Sequence, residues 1–213
     1  MIEIICYGDS NTYGYCPIGI SDRYGENERW VERLQTMLGR EFLVHNEGLN
    51  GRTTDLDDIF DTGRNGAKYL PVTLRKYPNA DLLILMLGTN DLKSYFKRDA
   101  KQIADAAAGL VVTAKGIMKE NAKILFVSPV LVGEKMGQSP FCLEFGENRS
   151  RNESLKFAEL YRKKADALGV ESMSAADYAG VSDADSLHLS LEGHATLADA
   201  FYEKVADLFP ENV

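Results

Sequence analysis

The chain has 213 residues, 45% of them hydrophobic, 26% charged and 9% aromatic, which is the profile of an ordinary globular protein long enough to bury a substantial core. Its 24 basic and 32 acidic side chains leave a net charge of −8, and no basic cluster is larger than the one around Lys163 and Lys164, so the footprint of a nucleic-acid or anionic-membrane partner is missing. The longest apolar stretch, 82–87, is far short of the ~20 residues that cross a bilayer, and the opening MIEIICYGDS carries no basic leader, so the expectation is one cytoplasmic domain over 1–213.

In chain order, short apolar runs predict strands at 2–7, 42–46, 81–87, 123–128 and 170–173, each apolar enough to be covered on both faces. Amphipathic stripes alternate with them. Trp30, Val31, Leu34, Met37 and Leu38 form the first, and Ile103, Ala107, Leu110, Val111, Ala114, Ile117 and Met118 the second. Leu155, Ala158, Tyr161, Ala165 and Leu168 form a third; Leu197, Ala198, Phe201, Val205 and Leu208 form a fourth. This alternation predicts an α/β fold with a central parallel sheet of about five strands between helix layers, and an active site beyond the carboxyl ends of those strands. The connection over 132–149 is too apolar for a linker, since it carries Phe141, Leu143 and Phe145. Three cysteines without CxxC spacing suggest free thiols, with Cys6 buried in a strand and Cys16 at the surface of a polar loop.

Each strand end runs into loop chemistry. The first is followed by GDSNTYG, the second by NEGLNGRTT and the third by GTND, while DSLHLSLEGH precedes the last helix. Ser10 stands at a strand end where its hydroxyl could serve as a nucleophile, although Asp9 or Ser10 could equally cap a helical turn. A serine needs a base and the base needs an orienting acid; Asp185 and His188, three residues apart, supply both, with a surface pair as the plainer reading. Gly51 allows close approach of a backbone N–H and Asn90 offers a carboxamide, so that with the Ser10 N–H three donors could face an oxyanion. Taken singly, Gly51 reads as a positive-φ turn and Asn90 as a local cap; four separate loops supplying one complementary set favours the catalytic reading. Asp9, Tyr13, Tyr15, Phe141 and Phe145, with Ile18, are the expected pocket residues. His194 falls on the apolar stripe of the last helix and His45 at a strand end, and neither is assigned a catalytic part.

In that order along the chain, GDSNTYG with Ser10, the loop with Gly51, GTND with Asn90 and DSLH with Asp185 and His188 resemble the four sequence blocks of the SGNH (GDSL-type) hydrolase superfamily, and NGAKYLP, MLGTNDLKSYF and GLNGRTT resemble its arylesterase and acyltransferase branch. The resemblance implies a flavodoxin-like three-layer fold and a serine esterase without a cofactor or metal: Ser10 as nucleophile, His188 as base, Asp185 as its partner, and Ser10, Gly51 and Asn90 as oxyanion donors. It also implies small esters as substrates, acyl transfer to alcohols or peroxide, deacetylation of sugars as an alternative, and a homo-oligomer in which 132–149 walls a neighbour's site. Acyltransferases of the branch can carry Ala where this chain has Gly51, which leaves transfer less defined than hydrolysis.

Rival readings are weaker. A metal-dependent phosphoesterase could draw on Asp9, Asn90, Asp91, His188 and His194, but the chain has three histidines and no DxH pair. The SxxK spacing of Ser94 and Lys97 lacks its companion motifs. A non-catalytic α/β binding module remains as the third alternative.

Overall fold

The computed structural model describes residues 1–19 and 21–212. Its elements run β1 (Ile2–Gly8), α1 (Ser10–Tyr13), α2 (Trp30–Leu38), β2 (Phe42–Gly48), α3 (Gly66–Lys76), β3 (Leu82–Met86), α4 (Ala100–Lys115), β4 (Lys123–Ser128), α5 (Cys142–Phe145), α6 (Arg149–Ser154), α7 (Phe157–Leu168), β5 (Glu171–Ser174) and α8 (Leu191–Leu208). All strand pairs are parallel, in the order β2-β1-β3-β4-β5. That is the flavodoxin-like order, and its switch point lies between β1 and β3.

Strand pleating divides the core in two. Ile5, Tyr7, Leu83, Leu85 and Phe126 face α3, α4 and α7, whereas Ile4, Cys6, Ile84, Leu125 and Val127 face α2 and α8. The central strands are buried on both faces, as their continuous apolarity predicts; the edge strands β2 and β5 are only half-buried. Every predicted strand is present, with ends shifted by up to two residues, and the predicted stripes of α2, α4 and α8 face the core through Trp30, Leu34, Ile103, Val111, Leu197 and Phe201.

Three expectations are corrected. On α7 the inward stripe is Phe157, Tyr161 and Ala165, while Leu155 and Ala158 are exposed. The chain completes α6 at Ser154 and starts α7 afresh at Phe157, so the helical phase resets between them. Cys16 is buried, and the residue beside it, Tyr15, forms an antiparallel bridge to Arg23. The helix α3 has no predicted counterpart: Gly66 and Pro71, both poor helix formers, sit inside it, and Asn65 caps it by accepting from Lys68 N. The 132–149 connection is ordered by the buried side chains of Val132, Met136 and Phe145. Among the described residues no helix is long and apolar enough to cross a membrane.

Candidate active site

β1 ends at Gly8 and the chain turns at once into α1, with Asp9 as the cap: its carboxylate accepts from Asn11 N at 2.9 Å. The capping reading of this motif is therefore satisfied by Asp9, and it leaves Ser10 as the first residue of the turn, where backbone N–H groups have no partner within the helix. Ser10 Oγ lies 2.8 Å from His188 Nε2, and His188 Nδ1 lies 2.6 Å from Asp185 Oδ2. The other carboxylate oxygen of Asp185 accepts from Leu187 N and His188 N, both at 2.9 Å, which locks the acid under its own loop. Between them Ser186 adopts φ +58, a left-handed conformation that lets the backbone curl round the carboxylate. Asp185 and His188 are both buried, so the hydrogen bond between them is shielded from bulk water.

The donors converge from two further loops. Gly51 sits at φ +76, where a side chain would be strained, in the loop beyond β2. Asn90, beyond β3, donates one amide hydrogen to Arg52 O at 3.1 Å, so its carboxamide is oriented and a second hydrogen is left over. Arg52 itself is buried, donates to the carbonyls of Gly8 (2.7 Å) and Glu47, and stacks 4.0 Å over the Tyr7 ring, tying the Gly51 loop to the end of β1. Burial lowers the Arg52 pKa. Thr54 supports the same junction: its N–H and hydroxyl both donate to the Asp91 carboxylate, which burial pushes up to about 6.

Ser10, Gly51, Asn90 and His188 open on one cleft of about 610 Å³. Tyr15, Phe141 and Phe145 line it; the Tyr15 ring packs 4.2 Å from the His188 ring and Phe141 meets it edge-on at 5.5 Å. Asp9, Tyr13 and Ile18 do not. Asp9 lies beneath the turn, where burial pushes its pKa up to about 6, Tyr13 is covered by the Arg23 guanidinium at 4.2 Å, and Ile18 is half-exposed away from the cleft. The pocket has a polar wall that sequence reading missed. Lys93 Nζ pairs with Asp58 at 2.9 Å and reaches Glu144 at 3.5 Å, and Tyr95 also donates to Asp58, at 2.7 Å. Burial opposes both charges, but the mutual hydrogen bonds outweigh it: the Asp58 pKa is lowered and that of Lys93 raised, so the pair is ionised. The cluster joins the 55–64 loop to α5 across the mouth, and Phe60 and Leu143 stand exposed at its rim.

The other histidines sit elsewhere. His194 accepts from Trp30 N at 3.3 Å, at the start of α2, and burial holds its pKa at about 3. His45 is in mid-strand on β2, 2.9 Å from Glu3 and stacked on Tyr77. With Asp91 held by Thr54 and His194 by Trp30, the residues of the phosphoesterase reading are not directed to one point, and no three His, Cys, Asp or Glu side chains among the described residues group as metal ligands.

Ser10, His188 and Asp185 thus stand hydrogen-bonded in series at the switch point of a flavodoxin-like sheet, the architecture of SGNH-type carboxylic ester hydrolases. The chain belongs to the GDSL-like lipase/acylhydrolase family, whose model matches residues 6–196. Among solved structures it is similar to Est24, a carbohydrate acetylesterase from Sinorhizobium meliloti, at 36% identity over 98% of this chain and 100% of that one, with a TM-score of 0.88. It is similar to the aryl esterase of M. smegmatis at 32% identity over 98% and 100%, TM-score 0.88. A carbohydrate acetylesterase family member from Sinorhizobium meliloti matches at 32% over 99% and 100%, TM-score 0.90. No curated protein matches the chain.

Proposed function

We propose that the chain hydrolyses small carboxylic esters, with short acyl chains or aryl alcohols, through an acyl-enzyme on Ser10. The observation that carries this reading is the pair of short contacts from Ser10 to His188 and from His188 to Asp185, opening on a cleft that also holds Gly51 and Asn90. Ser10 Oγ attacks the acyl carbon as His188 Nε2 takes its proton, and Asp185 stabilises the imidazolium that results. The Ser10 and Gly51 N–H groups and the free Asn90 amide hydrogen then face the oxyanion. On collapse, the Nε2 proton passes to the leaving alkoxide. Water gives a proton to Nε2 and attacks the acyl carbon; the Oγ–acyl bond then breaks, the Nε2 proton returns to Oγ and the acid leaves, restoring Ser10 and His188.

A second reading, deacetylation of sugars, is favoured by a cleft lined both by polar Asn50, Asp61, Lys93 and Glu144 and by aromatic rings, the residue types that hydrogen-bond sugar hydroxyls and stack on a pyranose face. It shares the same nucleophile and differs only in the alcohol released. An alcohol or peroxide in place of water at the second step would make the reaction an acyl transfer.

The test is hydrolysis of p-nitrophenyl acetate by the intact chain and by Ser10→Ala, with a chelator present in both. The intact chain should turn over, and Ser10→Ala should lose on the order of a million-fold in kcat. Equal rates would overturn the assignment, and no turnover by either would leave the fold without this chemistry. Acetylated sugars assayed beside the aryl ester then separate the two alcohol classes.

A further inference from the structure

We infer that Asn11 is a positioning residue that sets the place of the His188 imidazole over Ser10; the inference rests on the catalytic reading of Ser10 and His188 given above. Asn11 follows the nucleophile directly and is buried. Its Oδ1 accepts from Leu189 N at 2.8 Å and its Nδ2 donates to Leu187 O at 3.3 Å. Those two partners flank His188 on either side. Because Leu189 N–H can only donate and Leu187 C=O can only accept, the two backbone groups fix which end of the carboxamide is which.

The result is a closed ring. Two adjacent residues, Ser10 and Asn11, are joined to three adjacent residues, Leu187, His188 and Leu189, by three contacts: the two from the Asn11 amide and the bond from Ser10 Oγ to His188 Nε2. The remaining backbone groups of His188 are held from its own side, N–H by Asp185 and C=O by Ser182 N at 2.7 Å. The Asn11 amide thus reaches from the turn of Ser10 to grip the backbone on both sides of His188, and it travels with Ser10. Trp30 Nε1, donating to Asn11 O at 2.9 Å, in turn anchors the clamp to the core.

An isosteric leucine at this site would remove both bonds and leave Leu189 N and Leu187 O buried without partners, so the loop would shift to find water. An aspartate would keep the acceptor for Leu189 N and set a carboxylate oxygen against the Leu187 carbonyl. Either change moves the imidazole relative to Ser10 without touching substrate, and near-attack geometry is lost steeply over an ångström.

The test uses the purified full chain with Asn11→Leu, Asn11→Asp and Leu34→Ala, the last a core truncation on α2 that removes none of these hydrogen bonds. The readouts are kcat and KM on p-nitrophenyl acetate, the urea midpoint, and the low-field proton resonance of His188 Nδ1–H. The expected result for both Asn11 variants is a fall in kcat of about 10- to 100-fold with KM changed by about twofold at most, together with a shifted or lost resonance. Leu34→Ala should lower the urea midpoint and keep the wild-type kcat and resonance. An Asn11 variant with wild-type kcat and an unmoved resonance, whatever its midpoint, would overturn the inference and leave Asn11 a structural residue. If Asn11→Leu fails to fold, Asn11→Asp decides by the same criteria. The resonance also separates the two levels of reading: a wild-type chain without turnover whose resonance still depends on Asn11 would refute the esterase proposal and uphold the positioning role.

Discussion

Gly133→Ala tests the loop that carries Asp185 and His188 at a point outside the proposed active site. Gly133 N donates to Ser186 O at 2.7 Å, and a methyl group at residue 133 would lie 2.8 Å from Ser186 Cβ, 2.9 Å from its Oγ and 3.0 Å from its Cα. Carbon atoms rest at about 3.5 Å or more, so Ser186 has to move by roughly 0.7 Å. It cannot do so freely, because it sits at φ +58 between Asp185, whose carboxylate is bonded to the Leu187 and His188 amides, and His188. The shift therefore passes to the imidazole and lengthens its 2.8 Å contact with Ser10. The expected cost is about 1 to 3 kcal/mol of stability from overpacking and a fall in kcat of about 10- to 100-fold, read by urea unfolding and by p-nitrophenyl acetate turnover. Adding Ser186→Gly removes the two nearest clashing atoms and relaxes the positive φ, so the double variant should recover most of both losses. Wild-type kcat in Gly133→Ala, or no recovery in the double variant, would refute the argument that this contact holds the loop in place.

Asn90→Ala should lower kcat by roughly 100- to 1000-fold with little change in KM, the usual loss for one oxyanion donor, and an unchanged kcat would remove Asn90 from the site. His194→Gln should flatten one part of the pH dependence of stability. The folded-state pKa of His194 is lowered to about 3, so the unfolded chain binds its proton first and this residue's contribution is lost as pH falls below the ordinary histidine value. The stability advantage of wild type over His194→Gln should shrink by about 2 kcal/mol between about pH 7 and about pH 5, measured by urea unfolding at each pH; a constant gap would refute it. Asp9 and Asp91, pushed up to about 6, act with the opposite sign, adding stability as pH falls from about 6 to about 4, which is why the comparison is made between variants. Lys93→Met should strand the buried Asp58 carboxylate and cost about 3 to 5 kcal/mol, with Lys93→Met/Asp58→Leu recovering most of it; a single variant of wild-type stability would show that the pair holds nothing.

Much of this was legible in the sequence because it is written locally. An apolar run such as LLILM in β3 has one way to satisfy both faces, in the middle of a sheet between two helix layers, and the alternation of such runs with helical stripes fixes the parallel topology. Ser10, Gly51, Asn90, Asp185 and His188 could be singled out because each stands in the connection that follows a strand, at the edge where open α/β sheets build their sites. The errors also have local causes. Pro71 and Gly66 hid α3, the break between α6 and α7 shifted the phase of a stripe, and Cys16 is buried beside the bridge from Tyr15 to Arg23.

What the tertiary structure alone decided is which distant polar groups meet. Nothing near Asn11 in the chain marks it as the partner of Leu187 and Leu189, and Lys93, Asp58 and Glu144 are unremarkable in isolation. Tyr13 and Asp9 lie beside the nucleophile in sequence yet face away from its cleft, whereas Phe60 and Tyr95 reach it from other loops. Periodicity constrains one element against its own solvent and core, so it encodes strands, helices and their buried faces. A contact between loops depends instead on strand order and on the path each loop takes over the sheet, and those are settled only when the whole chain packs.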